Sequence, residues 1–158
     1  MKTYTIRKAE QRDVAGIMRL LAQVAEVHHK IRPDLFKGGV TKYTEEELKA
    51  IFCEPTTPVF VCEEEGAILG HAFCQIKEVK DSILFCDRKT FYIDDICVDE
   101  NARRKGVGRA IYEFVLAYAK EIGCDYLTLN VYKANESAAG FYRAMGMEER
   151  NIVMECKL

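Results

Sequence analysis

The sequence predicts a single α/β domain of the α+β type, in the order β-α-α-β-β-β-α-β-α-β, whose mixed, mostly antiparallel sheet is flanked by helices. Three observations carry this. Val14, Ile17, Met18, Leu21, Val24 and Ala25, and later Val107, Ile111, Phe114, Val115, Tyr118 and Ile122, recur at three- and four-residue spacing, the period of helices with one buried face. Short β-rich runs bounded by Gly, Pro and acidic turns lie between and around them. The 158 residues, 49% hydrophobic and 30% charged, suit one ordinary core, and no repeat, low-complexity tract or linker divides residues 1–158.

In chain order, residues 3–7 alternate and predict a first strand, and the first helix spans about 13–27 with Asp13 at its N-terminus. Residues 28–39 read as an irregular connection because of Pro33 and Gly38-Gly39. They mix imidazole, aromatic and cationic groups, so His28, His29, Arg32 and Phe36 are candidate substrate-facing residues. The plain alternative is a surface loop with Leu35 and Phe36 tucked beneath it.

Thr44-Glu45-Glu46-Glu47 has the pattern of a capping box and opens a short helix over 44–52, which Pro55 and Pro58 end. Residues 59–63 and 67–76 predict two antiparallel strands joined at Glu64-Glu65-Gly66, and 77–89 a polar loop or ragged strand end. A strand follows over 91–98. The helix begun at Val107 stops at Gly123. Residues 126–131 predict a strand. Residues 135–145 predict a helix with Ala138, Phe141, Tyr142 and Met145 on one side, stopped by Gly146, and 151–157 a closing strand.

The formal net charge of -2 argues against general nucleic-acid binding, and no apolar stretch is long enough to span a bilayer. The first eight residues lack the apolar core of a signal peptide, so a cytoplasmic protein is expected. The seven cysteines are odd in number and form no C-x-x-C pair; they read as small buried hydrophobes in a reducing compartment. No metal is expected, since His28, His29 and His71 are not spaced to complete a site.

Residues 92–109 hold the densest chemistry. A β-like run leads through an acidic turn into Arg103-Arg104-Lys105-Gly106-Val107-Gly108, and a helix opens directly from that loop. Free N–H groups at a helix start, glycines that admit a ligand to the backbone, and the charges of Arg103, Arg104, Lys105 and Arg109 together make an anion cradle. A Walker loop is absent. The third glycine of a dinucleotide fingerprint is replaced by Ile111. Asp94, Asp95, Asp99 and Glu100 cluster just upstream and favour a cationic acceptor.

Ile96-Cys97-Val98 followed by Arg103-x-x-Gly106-x-Gly108 resembles the acyl-CoA signature of the GNAT superfamily of N-acetyltransferases. Asn135-x-x-Ala138-x-x-Phe141-Tyr142-x-x-x-Gly146-Met147 resembles that family's downstream segment, which often ends Gly-Phe. The element order matches from residue 3 to the C-terminus, so a GNAT-like sheet is expected. The resemblance implies acetyl-CoA as co-substrate. Main-chain groups of Ile96, Cys97 and Val98 would pair with the pantetheine arm. N–H groups over Arg103, Arg104, Lys105, Gly106, Val107, Gly108 and Arg109 would hold the pyrophosphate. Asn135 would contact the cofactor further along, and Tyr142 would protonate the departing thiolate. Tyr92-Ile93-Asp94-Asp95-Ile96 is similar to the Y-L-E-D-L run of the polyamine acetyltransferases, which implies Asp94 as the base.

The chemistry is reasonable independently. A phenol of pKa about 10 can serve a thiolate, and an alkylammonium of similar pKa must lose a proton before it attacks. Strand alternation sends Asp94 and Asp95 to opposite faces unless a bulge intervenes, and Asp94, Asp95 or water remain open as the proton acceptor. The expected activity is acetyl transfer to a primary amine of a small molecule or peptide by direct attack in a ternary complex. A covalent route through Cys97 is the weaker alternative, as no histidine is close in sequence to activate it. A non-catalytic acyl-CoA-binding sensor or interaction module is a second class, and a nucleic-acid binder using the basic loop a third. A homodimer through the C-terminal strand is an assembly that the sequence allows.

Overall fold

The structure is a computed structural model that describes residues 4–158. The strands are β1 (Thr5–Lys8), β2 (Val59–Glu64), β3 (Ala67–Val79), β4 (Arg88–Val98) and β5 (Tyr126–Leu129). The helices are α1 (Val14–Ile31), α2 (Glu45–Cys53), α3 (Val107–Glu121) and α4 (Glu136–Ala144). The strands lie in the order β1-β2-β3-β4-β5, antiparallel except for the β4–β5 pair. The parallel pair follows from the crossover through α3, which returns the chain to the same end of the sheet.

Each face of the sheet carries one apolar layer. Ile17, Leu20 and Leu21 of α1 and Leu48 of α2 pack with Val61 and Phe73 on one face. Ile111 and Val115 of α3 pack with Phe60, Phe91 and Ile93 on the other, where Phe141 and Tyr142 of α4 join them. The α1 start is fixed by Asp13, only 3% exposed, which accepts two bonds from the Arg7 guanidinium at 2.8 and 3.0 Å and one from the Glu10 amide at 2.7 Å. The capping box predicted at α2 is present: Thr44 Oγ1 accepts from the Glu47 amide at 3.2 Å, and the Glu47 carboxylate accepts from the Thr44 amide at 2.8 Å.

Four expectations change. Thr3, in the predicted first strand, lies outside the described residues, and β1 begins at Thr5. Helix α1 continues to Ile31 rather than ending near 27, so His28 and His29 belong to its last turn rather than to a loop. The apolar spacing fades after Val24, but nothing in the chain breaks a helix before Pro33, which disfavours helical geometry at Arg32. The polar run 77–89 is mostly sheet: Lys77 pairs with Thr90, Glu78 with Lys89 and Val79 with Arg88, leaving 80–87 as the loop. Opposite charges face each other across Glu78 and Lys89, which suits strands projecting beyond the apolar layers. The predicted closing strand over 151–157 does not form. Ile152, Val153 and Met154 are exposed, and Glu155 is tied by its carboxylate to Arg32 at 2.6 Å. Alternation supplies a strand's pattern; a hydrogen-bonding edge must supply its partner.

Two irregularities in β4 shape everything that follows. Opposite β3, Phe73 pairs with Asp95 and Cys74 with Ile93, so Asp94 is an extra residue with no partner, a β-bulge. On the other side β4 pairs with β5 only from Thr90 to Ile93. Beyond Ile93 the two strands part.

Gly70 guards the inner edge of this region. A Cβ there would meet Ile111 Cδ1 at 2.7 Å and the Cys97 carbonyl oxygen at 2.8 Å. Gly70→Ala should therefore cost about 1–3 kcal/mol of stability through forced displacement of backbone, read as a lower denaturant midpoint with an unchanged slope.

Candidate active site

The wedge where β4 leaves β5 is the structural centre of the site. Residues Ile96, Cys97 and Val98 pair with Ala72, His71 and Gly70 on one side. On the side bordered by β5 earlier in the strand, they have no strand neighbour among the described residues. Backbone groups on that edge lack a strand partner, with the Val98 carbonyl accepting from Arg103 Nε at 3.4 Å, and an extended ligand can pair there.

The wedge leads to the basic loop. Asp99 is 6% exposed; its carboxylate accepts from the Asn101 amide at 2.9 Å and from the Arg19 guanidinium of α1. Arg19 also donates to the Ile68 carbonyl at 3.0 Å, so the turn out of β4 is anchored to α1 and β3. Arg104 (φ 60°) and Gly106 (φ 86°) both take left-handed backbone geometry, which curls the loop into the start of α3. Gly106 precedes α3 directly, and a Cβ built on it would meet nothing within 4 Å. The first intrahelical bond runs from the Ala110 amide to the Gly106 carbonyl at 3.0 Å, leaving the amides of Val107, Gly108 and Arg109 without helical acceptors. Arg103, Arg104 and Lys105 are exposed around them. Lys105 donates to the Asn101 carbonyl at 2.8 Å, and Arg109 lies 3.6 Å from Glu113.

At the inner end of the wedge the bulge brings Asp94 and Asp95 to one face. Ile93 and Ile96 both pack toward α3, and the two carboxylates point toward the α1–α2 side. Asp94 accepts from the Lys42 ammonium and from the Tyr43 hydroxyl, the latter at 3.4 Å. Asp95 lies 2.9 Å from Nε2 of His71, a wholly buried side chain whose Nδ1 has no partner. Phe73 connects the two groups, stacking on Tyr43 at 5.5 Å and meeting the His71 ring edge-on at 4.9 Å. Partial burial works against the Lys42 charge, but the hydrogen bond and charge of Asp94 outweigh it, so its pKa is raised.

Tyr142 approaches from α4, in an aromatic group with Phe141 at 5.2 Å and Tyr112 at 6.5 Å. Burial first, and then the charge of Asp95, push its pKa up, so the phenol stays protonated through the neutral range. Asn135 is the N-cap of α4, its Oδ1 accepting from the Ala138 amide at 3.2 Å.

Other candidates are placed differently. Cys97 Sγ points away from the wedge and donates to the Leu20 carbonyl at 3.4 Å. Arg32 is engaged by Asp34 and Glu155. His28 stacks on Phe36 at 5.0 Å, Phe36 meets Tyr132 edge-on at 5.4 Å, and His29 Nδ1 lies 2.7 Å from the Phe36 carbonyl oxygen. This cluster joins the α1–α2 connection to the segment after β5. Nothing in the sequence singles out Lys42, Tyr43 and His71 as partners of the carboxylates. Lys42 and Tyr43 lie 52 and 51 residues from Asp94 in the chain, and only the fold makes them neighbours.

Comparison with known proteins agrees with this architecture. The family model for the acetyltransferase (GNAT) family matches residues 21–147. The crystal structure of a mutant BH1408 protein from Bacillus halodurans superposes with a TM-score of 0.93 at 32% identity, covering 98% of this chain and 99% of that one. Thialysine N-epsilon-acetyltransferase from Bos taurus is 28% identical over 156 residues, covering 91% of this chain and 84% of the relative. Glucosamine-6-phosphate N-acetyltransferase from Arabidopsis thaliana superposes with a TM-score of 0.71 at 26% identity, over 99% of both chains. The chain spans 64% of the length of an uncharacterized N-acetyltransferase from Methanocaldococcus jannaschii, to which it is 27% identical. A sheet parted beside a glycine-containing helix start, matched over most of its length by one family model, makes this chain a member of the GNAT acetyltransferase family.

Proposed function

We propose that the chain is one N-acetyltransferase domain that moves an acetyl group from acetyl-CoA to a primary amine of a small molecule or peptide, by direct attack in a ternary complex. The observation that carries this reading is the wedge. Its free β4 edge runs from the paired carboxylates to the exposed N–H groups at the start of α3. That length and polarity suit an extended thiol arm ending in a pyrophosphate. The names of the bovine and plant relatives point to amine acceptors for those proteins, which supports the same bond type here.

In this reading the amides over Arg103 to Arg109 hold the pyrophosphate, with the side chains of Arg103, Arg104, Lys105 and Arg109 adding charge. Main-chain groups of Ile96, Cys97 and Val98 align the pantetheine arm, and an N–H there polarises the thioester oxygen. Asn135 reaches the cofactor from the start of α4. Asp94, directly or through water, takes the amine proton, and Asp95 keeps the acceptor region acidic. Tyr142 donates to the leaving sulfur. Bound acetyl-CoA supplies the activated acyl group; the chain supplies position and proton transfer. No covalent acyl-cysteine is required, since Cys97 faces α1 and burial pushes its thiol pKa up to about 12. The His28–Phe36–Tyr132 cluster forms an outer wall for the acceptor. A homodimer that buries the exposed Ile152, Val153 and Met154 belongs to the same reading. Free thiols suit a cytoplasmic setting.

Thiol release from acetyl-CoA against a panel of amines tests the activity. Release with at least one primary amine is expected; tight acetyl-CoA binding with no release would instead identify a sensor. Tyr142→Phe should lower kcat by about 10²-fold with little change in acetyl-CoA affinity, and equal turnover would remove its donor role. Asp94→Asn should move the pH–rate profile upward, because the amine must then shed its own proton nearer its pKa of about 10. Alkylation at neutral pH should label the exposed Cys53, Cys86 and Cys156 and spare Cys62 and Cys97, whose pKa values burial raises to about 11 and about 12.

A further inference from the structure

Lys42 occupies the place where an acceptor amine is wanted. It sits in the short segment between Gly39 and α2, and its ammonium donates to the Asp94 carboxylate at the residue where β4 bulges and leaves β5. Asp95 adds a second attractive charge, and the Tyr43 ring centroid lies 5.4 Å from Nζ. A bonded carboxylate, a more distant second negative charge and an aromatic ring beside a primary ammonium form a recognition site for an alkylamine. The side chain is 48% exposed, so packing does not force it inward. The other lysine ion pair among the described residues, Lys80 with Glu78, lies at the exposed end of the β3–β4 hairpin. Lys42 thus presents a flexible four-carbon amine to the same carboxylate that the mechanism uses.

We propose that Lys42 is an internal acceptor, acetylated on Nζ by the domain's own site with an acyl-CoA thioester as donor. The inference rests on the N-acetyltransferase reading above. Asp94 takes one proton from the ammonium, and the freed lone pair forms an N–C bond to the thioester carbonyl. The C–S bond breaks as the nitrogen loses its second proton, and the sulfur receives the proton that Tyr142 gives and solvent restores. The products are an acetamide at Lys42, free CoA thiol and one proton released to water. Because donor and acceptor are held in one molecule, the rate does not depend on protein concentration. Acetylation abolishes the Lys42 charge and with it the ion pair to Asp94, which leaves the carboxylate to external amines.

The test incubates the purified full chain with acetyl-CoA alone and follows intact mass and peptide mapping, with thiol release against the amine panel run in parallel. The expected result is one acetyl group on Lys42, formed at least about tenfold faster than on the exposed Lys49 and Lys133. Its rate should be independent of protein concentration, reduced in Tyr142→Phe, and the site should be lost in Lys42→Arg. If Lys42 stays unmodified, or reacts no faster than those surface lysines, while an external amine drives thiol release, the internal acceptor is refuted and the N-acetyltransferase reading stands. A rate that rises with protein concentration also refutes it, by showing transfer between molecules. Absence of both acetylation and thiol release overturns both readings.

Discussion

The bulge at Asp94 is the constraint on which the site depends. A regular β4 would continue to alternate, leaving one carboxylate in each apolar layer. One extra residue opposite β3 changes this, close to where β5 ends at Leu129. Phe91 and Ile93 face α3 before the bulge, whereas Ile96 and Val98 take that side after it, and Cys97 passes to the α1 layer. The carboxylates of Asp94 and Asp95 are thereby set side by side, each with its own cation or imidazole partner. A free backbone edge opens at the same point.

The surrounding structure holds this irregular strand in place. Arg19 reaches from α1 to Asp99 and to the Ile68 carbonyl, so the exit from β4 cannot swing without breaking a charged contact to a nearly buried carboxylate. The inner edge is closed by Gly70, where no side chain fits between Ile111 and the Cys97 carbonyl. On the opposite wall Tyr112, Phe141 and Tyr142 form an aromatic group that fixes the Tyr142 ring. Rigid packing on both faces, rather than the loops, therefore sets the geometry at the parting of the strands. The loops contribute charge: the basic run Arg103 to Lys105 at one end, and Lys42 at the other.

The buried His71 carries a polar atom with no partner among the described residues. An unsatisfied atom of this kind, here Nδ1, costs about 1–3 kcal/mol. The bond to Asp95 offsets part of that cost and orients a carboxylate that would otherwise be free to rotate. Phe73 then ties this pair to the Tyr43–Asp94 pair through two ring contacts. The contacts around both acids thus join β3, β4 and the connection between α1 and α2.

The helices and inner strands are legible in the chain itself, because their patterns are local. The apolar period of α1 and α3, the capping box of α2, the glycine-bounded start of α3 and the apolar runs of β2 and β3 either side of the Glu65-Gly66 turn each need no distant partner to be read. The glycine-containing basic loop that opens α3 is legible for the same reason: its basic residues and glycines are contiguous. What depends on a neighbour is settled by the packed fold alone. Pairing with β4 turns the polar end of β3 into strand, whereas 151–157 pairs with no strand among the described residues despite its apolar residues. The bulge is a mismatch between two strands and has no signature in either one. For that reason Asp94 and Asp95 stand out in the sequence as residues, but their common face, and their partners Lys42, Tyr43 and His71, emerge only when the strands are placed side by side.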